Sequence, residues 1–231
     1  VLTIVCWKWR RSDNGYKMPT RISGYTAHHV NTLKSMLKRH CRIPYRLVCL
    51  TDDPNGVLCE TLPIPTKYAE LGGCYRRLWM FSEEARDVLG DRICSIDLDC
   101  VIIRDCTKVF SHPGEFVMNT YNAHINVVDQ HYNGSLIMFN AGSRRQLWDD
   151  FGEHRLRMIE AGRKLRKCIG SDQAWIRMKL GKNEQRLGNR DGIFEARQCR
   201  ILPPRNASII FYSGYRDPSL DRREWVRRNW R

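Results

Sequence analysis

The chain has 231 residues, and its 39 lysines and arginines against 25 aspartates and glutamates leave a formal charge of +14. That length suits one α/β domain with a substantial core, and that charge points to a polyanionic partner or an anionic substrate, not to a fold. No run of eighteen apolar residues occurs, and Lys8, Arg10 and Arg11 follow the first short apolar run directly, so we expect neither a membrane span nor a signal peptide but an intracellular, cytoplasmic protein. Ten cysteines are present without any C-x-x-C pair, and Cys6, Cys49, Cys94 and Cys100 lie inside apolar runs. They read as reduced core thiols and not as a disulfide framework or a zinc site.

Val1 to Trp9 is an apolar run of strand length, followed by the turn-rich loop RRSDNGYKMPTRI. Ser23 is placed to cap a helix on which Tyr25, His29, Val30, Leu33, Met36 and Leu37 recur at three and four residues, with Pro44 beyond its end. His28 and His29 read as residues of that helix face. Tyr45 to Leu50 is a second strand, so strand, helix and strand imply a parallel pair with a right-handed crossover. Thr51 to Gly56 is a turn, and Val57 to Leu62 a short strand that Pro63 and Pro65 end. Gly72 and Gly73 release the chain into a helix, CYRRLWMFSEEARDVLG, that offers Tyr75, Leu78, Trp79, Ala85 and Leu89 to the core and stops at Gly90.

Arg92 to Ile96 is a strand, and Val101 to Ile103 a further apolar run. Asp97 and Asp99 lie between them. Aspartate is rare in strands and costly to bury unpaired, so two carboxylates on one face of an extended segment call for a cation. A bare D-x-D also fits a turn with solvated carboxylates; where it does bind, a hard ion such as Mg²⁺ or Mn²⁺ suits it. Phe116 to Met118 and Ser135 to Asn140 read as strands, Ser143 opens a long helix through about Ala161, and Ser171 caps a helix beginning Asp172-Gln173. The long helix carries Leu147, Trp148, Phe151, Leu156 and Ile159 on its apolar side. Its basic end, Arg155, Arg157, Arg163, Lys164, Arg166 and Lys167, is either a solvated face or a phosphate-contacting one. Ser208 to Tyr212 is the last clear strand, and the tail DRREWVRRNWR is basic and aromatic together.

Several separate blocks, in order along most of the chain, resemble the GT-A fold of nucleotide-sugar glycosyltransferases, in particular the retaining, family-eight-like enzymes. Arg77-Leu78 followed about twenty residues later by Ile96-Asp97-Leu98-Asp99-Cys100-Val101 resembles their R-L…L-D-x-D-V block. Asn133 to Asn140 resembles the strand lining the sugar site, Ser171-Asp172-Gln173 their D-Q element, and Phe211-Tyr212-Ser213-Gly214-Tyr215-Arg216-Asp217-Pro218 their closing loop. The combination YNGS…SDQAW is similar to small phage-encoded glycosyltransferases. The closing loop departs from the pattern: Phe211 stands where the family has a metal-ligating histidine, and Arg216 or Asp217 where it has a lysine.

The resemblance implies a mixed, mostly parallel Rossmann-like sheet flanked by helices in a single domain. Residues 1–106 would form the nucleotide-binding half, 107–217 the sugar and acceptor half and 218–231 a basic tail. It implies a nucleoside-diphosphate sugar, a UDP-sugar first, as donor and Mn²⁺ or Mg²⁺ on Asp97 and Asp99. Arg77, Gly214 and Arg216 would serve the diphosphate, and Asn133, Ser135, Asp172 and Gln173 the sugar. Val5, Trp7, Thr51 and Asp52 would take the base and ribose, Trp7 reading equally well as core. Three functions then compete: glycosylation of a nucleic acid such as hydroxymethylated phage DNA, glycosylation of an envelope polysaccharide or lipid, and a non-catalytic nucleic-acid-binding module. The charge and the tail, with Arg222, Arg223, Trp225, Arg227, Arg228, Trp230 and Arg231, suit phosphate contacts with stacking platforms.

Overall fold

The computed structural model describes residues 1–9, 24–65, 73–120, 132–151, 172–212 and 216–231. Every residue of β1 (Leu2–Lys8) is buried, as expected of a central parallel strand covered on both faces. Its alternating side chains feed two cores: Leu2, Ile4 and Cys6 one cluster, Val5 and Trp7 the other. β1 pairs in parallel with β2 (Tyr45–Thr51) on one side and with β4 (Arg92–Ile96) on the other. β3 (Glu60–Pro63) begins later than the sequence pattern indicates and includes Pro63, opposite Thr51. As the edge strand it loses nothing by the missing N–H.

The seven-stranded sheet runs β3-β2-β1-β4-β7-β6-β8, where β6 is Phe116–Thr120, β7 Tyr132–Asn140 and β8 Gln185–Leu187. β7 is antiparallel to both neighbours, which makes the sheet mixed and mostly parallel in a single α/β domain. A second sheet, β5-β10-β9, joins β5 (Cys100–Ile102), β10 (Ile209–Phe211) and β9 (Ile193–Glu195). The strands β8 and β9, three residues each, are too short for a periodic pattern to announce them in the sequence.

α1 (Ala27–His40) starts at Thr26, whose backbone N–H donates to His29 Nδ1 at 3.2 Å. Tyr25 therefore precedes the helix, and the expected cap Ser23 lies outside the described residues. Val30, Leu33, Met36 and Leu37 form its buried face.

The continuous helix expected from Cys74 to Gly90 is two elements. Gly73–Phe81 is a 3₁₀ helix, and Ser82, whose hydroxyl accepts from Ala85 N at 3.0 Å, starts α2 (Glu83–Leu89) afresh. Three residues per turn stack Tyr75, Leu78 and Phe81, all buried, on one face. Gly90, at φ +86°, ends α2 as its residue type indicates. α3 is the single turn Thr107–Phe110.

Residues 141–145 form turns, and α4 spans residues 146–151, with Leu147 and Phe151 buried. The continuation and basic end expected for that helix fall in 152–171, outside the described residues, as do Ser171, Ser213, Gly214 and Tyr215. α5 is Asp172–Leu180. α6 (Glu224–Asn229) returns the C-terminal segment to the core, with Trp225 and Val226 buried. The nine described cysteines are free thiols, and no described helix is long and apolar enough to cross a membrane.

Candidate active site

Asp97 and Asp99 occupy the corner between the two sheets. β4 belongs to the first sheet and β5 to the second, so the chain bends between them instead of running extended. Backbone bonds hold both ends of the bend: Asp97 N donates to Ser135 O and Tyr212 N to Asp99 O, each at 2.8 Å.

Arg77, 4% exposed, reaches this corner from the 3₁₀ helix. Its Nη1 donates to Asp97 Oδ1 and to Gly134 O, and its Nη2 donates to Asp172 Oδ1 at 3.0 Å while lying 2.8 Å from Oδ2. One guanidinium thus joins the bend after β4, β7 and the first residue of α5. A buried arginine of this kind is expensive unless it is paired. Burial pulls against its charge, and the two carboxylates outweigh that and raise the guanidinium further.

Gly134 is the contact point. A Cβ there would stand 2.7 Å from Arg77 Nη2 and 3.4 Å from Asp172 Oδ1, so glycine is required by close approach. Its N–H donates to Gln173 Oε1 at 2.9 Å. Asn133 Oδ1 accepts from Ser135 N at 2.9 Å, and Asn119 Nδ2 donates to Ser135 Oγ at 2.8 Å. Asn133, Ser135, Asp172 and Gln173, read from separate blocks, therefore meet Arg77 and Asp97 in one place. Sequence reasoning missed Asn119, which lies in β6 beyond the expected strand end, and Tyr25.

A cavity of about 130 Å³ opens beside this cluster, lined by Trp7, Trp9, Tyr25, Cys74, Arg77 and Asp97 among others. Asp97 keeps 30% of its side chain exposed. Trp7 is both core and site: its Nε1 donates to Ser95 Oγ at 3.0 Å, and its ring meets Trp9 edge-on. The Arg76 guanidinium lies 5.3 Å from the Trp9 ring centroid. Val5 is wholly buried in the core and does not line the cavity. Thr51 is buried at the end of β2, opposite Lys8, and Asp52 beyond it is exposed.

Among the described residues no group of three or more histidine, cysteine, aspartate or glutamate side chains is placed to hold a metal. The two carboxylates nevertheless fit a partial set. Burial, and then the charge of Asp97, pushes the Asp99 carboxyl well above its ordinary range, although Tyr25 hydrogen-bonds it. Its Oδ1 is buried without a hydrogen-bond partner. Asp97 is also raised, by burial first, with Arg77 opposing. An orphaned buried carboxylate oxygen needs a proton or a cation, and two hard oxygens suit Mn²⁺ or Mg²⁺ if phosphate oxygens and water supply the rest. Phe211, at the position of the family's histidine, is 2% exposed in the core.

Of the two residues aligned with the loop's lysine, Asp217 turns away from such a role. It accepts from Ser219 N at 2.8 Å and faces His29 Nε2 at 3.2 Å. Arg216 is exposed. The tail also differs from the expected row of stacking platforms. Trp225 is buried, and Trp230 is half-buried with its ring edge-on to His28 and His29. Arg223 donates to Ala196 O at 2.9 Å and Cys199 O at 2.6 Å and pairs with Asp221, so it is a strut. Arg222, Arg227 and Arg228 face solvent.

No protein family matches the sequence, and neither does any curated protein. Solved structures match the fold. The galactosyltransferase LgtC, in complex with donor and acceptor sugar analogues, is similar at TM-score 0.61 and 12% identity over 94% of this chain and 88% of that one. A glutamine-to-glutamate active-site mutant of LgtC gives 0.60 and 13%, covering 94% and 89%. Apo GlyE from Streptococcus pneumoniae gives 0.53 and 15% over 99% of this chain and 60% of GlyE. At these identities the likeness is one of fold, and this chain shares its architecture with these glycosyltransferases.

Proposed function

We propose that this chain, built on an LgtC-like fold, is a metal-dependent glycosyltransferase that moves a sugar from a nucleoside-diphosphate sugar, a UDP-sugar first, to an acceptor hydroxyl. The observation that carries the reading is Asp99, whose buried Oδ1 has no hydrogen-bond partner and whose neighbour Asp97 is gripped by the Arg77 that also holds Asp172.

Asp97 and Asp99 would hold Mn²⁺ or Mg²⁺, which when bound supplies positive charge against the departing diphosphate. Arg77 fixes Asp97 and offsets part of the negative charge of the carboxylates around it. Arg216, which follows β10 in sequence, would meet diphosphate oxygens, with Gly214 two residues before it. Trp7 and Trp9, the latter beside the Arg76 guanidinium, wall the cavity on the side assigned to the base, with Thr51 and Asp52 at the neighbouring strand end. Asp172 orients Arg77, and Gln173 holds the Gly134 backbone, so that Asn133 and Ser135 stay in position toward the sugar. Residues 1–106 take the nucleotide in this scheme and 107–217 the sugar. Retention of the anomeric configuration belongs to the proposal on the strength of the family resemblance.

The charge of +14 favours an anionic acceptor. Hydroxymethylated phage DNA is the first acceptor to try and an anionic envelope glycan or lipid the second. The deciding experiment is donor hydrolysis across a panel of nucleoside-diphosphate sugars with Mn²⁺, in wild type and in Asp99→Ala. Hydrolysis of one donor, abolished by chelator and by the substitution, is the expected result. Turnover that survives both would overturn the reading.

A further inference from the structure

The described C-terminal segment touches the Asp97–Asp99 corner directly through Tyr212 and, at a second place, meets a histidine of α1 that stands beside Tyr25. At the first, Tyr212 N donates to Asp99 O at 2.8 Å, while the Tyr212 hydroxyl donates to Asp221 Oδ2 at 2.8 Å and receives Arg223 Nη2 at 3.2 Å. At the second, His29, 5% exposed, accepts from Thr26 N at Nδ1. That bond leaves the ring proton on Nε2, which faces both oxygens of Asp217 at 3.2 and 3.3 Å. The same ring meets Tyr25 edge-on at 5.4 Å and Trp230 at 5.5 Å. Tyr25 in turn lines the cavity with Asp97 and hydrogen-bonds Asp99.

A buried imidazole is an unusual choice for a plain helix cap. Thr26 with any short polar side chain three residues on would close the first turn of α1. The second nitrogen, aimed out of the helix at the segment carrying Arg216, is what a cap does not need.

We propose that His29 is a positioning residue for the donor site, holding Tyr25 against Asp99 on one side and the Arg216–Asp217 segment on the other. The proposal rests on the glycosyltransferase reading, since it takes Asp99 and Arg216 as the diphosphate end of that site. His29 touches neither substrate nor reacting atoms, and its effect passes through these two neighbours. The C-terminal segment thereby becomes part of the donor site.

The two nitrogens can be separated by substitution. An asparagine amide takes the place of Nδ1 and keeps the cap. A glutamine amide takes the place of Nε2 and keeps the bond to Asp217. Calorimetry of UDP with Mn²⁺ binding to the wild type, His29→Ala, His29→Asn and His29→Gln reads the outcome, with thermal unfolding in parallel. The expected result is roughly tenfold weaker binding for His29→Ala, recovery in the Gln variant, and no recovery in the Asn variant, which regains thermal stability instead. Binding unchanged in the Ala variant, or restored by Asn as well as by Gln, overturns the proposal. Should the wild type bind neither UDP nor any other nucleoside diphosphate, the functional reading has failed by itself. Amide hydrogen exchange of the ligand-free protein then decides the coupling. His29→Ala must speed exchange in both 24–27 and 216–220, and an effect confined to the first segment rejects it.

Discussion

Arg77 and Asp172 stand 95 positions apart in sequence, yet they form a nearly solvent-free pair, with side chains 5% and 1% exposed and 2.8 Å between Nη2 and Oδ2. The same guanidinium grips Asp97, so one residue sets where the carboxylates just after β4 and at the start of α5 both stand. Breaking one partner of a buried pair leaves an uncompensated charge, which costs about 3–5 kcal/mol. Asp172→Asn should lower unfolding free energy on that scale in urea titrations and reduce donor hydrolysis about a hundredfold or more. Arg77→Lys should do as badly, because an ammonium cannot span both carboxylates in the planar geometry of the guanidinium. An Asp172→Asn protein as stable as wild type would show that the pair is open in solution.

Gly134→Ala tests close approach alone, since it changes no charge. The added methyl would stand 2.7 Å from Arg77 Nη2, and the guanidinium can move only by giving up a carboxylate. We expect a stability loss of about 1–3 kcal/mol from overpacking and a much larger loss in turnover. A variant with wild-type turnover would mean that Arg77 shifts without consequence.

Asp99→Asn should separate stability from activity. The substitution removes a carboxylate whose ionisation is opposed by burial and by Asp97. The metal-free protein should therefore melt a few degrees higher, on the usual scale of about 4 °C per kcal/mol or less for a chain this long. Wild type should gain stability from Mn²⁺ with UDP by ligand linkage, and the variant should not. A variant that melts lower than wild type in the absence of metal would place Asp99 in the structural frame.

Acid should loosen the C-terminal segment. Burial alone raises the Asp217 carboxyl, but hydrogen bonds from His29 and Ser219 outweigh it and bring it to about 2. Asp221 reaches about 2 in the same way, through Arg223 and Tyr212. Both folded values lie below the unfolded carboxylate value of about 3.9. Their contribution is therefore complete above about pH 4 and is lost as pH falls toward 2, each on the order of 2 kcal/mol. Urea unfolding at pH 5 and pH 2.5 should show a smaller difference in Asp221→Asn than in wild type, and equal differences would remove Asp221 from the account.

The tail should divide into anchor and surface. Trp225→Ala opens a cavity in the core and should cost about 3–5 kcal/mol. Replacing Arg222, Arg227 and Arg228 with glutamine should leave the melting temperature and donor hydrolysis unchanged. If DNA is the acceptor, the triple variant should flatten the salt dependence of its binding by about 0.9 in log–log slope per lost phosphate contact. A wild type whose DNA binding ignores salt would direct the search to an envelope glycan.

The sequence was enough for the elements that strong local patterns specify. The run at β1, the parallel partner at Tyr45 to Thr51, the buried face of α1, the stop at Gly90 and the acidic pair at the end of β4 follow from periodicity, turn chemistry and the cost of charge. Spaced blocks also pointed to the residues that cluster around Arg77, since Arg77, Asp97, Gly134 and Asp172 stand in motifs that a reader can find without coordinates. What they do to one another was not legible. A sequence does not say that β4 and β5 enter different sheets, so the bend that carries Asp97 and Asp99 had to be seen. The break at Ser82 is a contest between 3₁₀ and α winding that propensity does not resolve, because both suit the same apolar spacing. Trp225 read as a stacking platform because an aromatic among arginines looks the same whether it faces nucleic acid or a core. His29 read as one more residue on a helix face. Its connections to Asp217, Tyr25 and Trp230 come from packing between segments up to 201 positions apart, and no local pattern encodes contacts of that range.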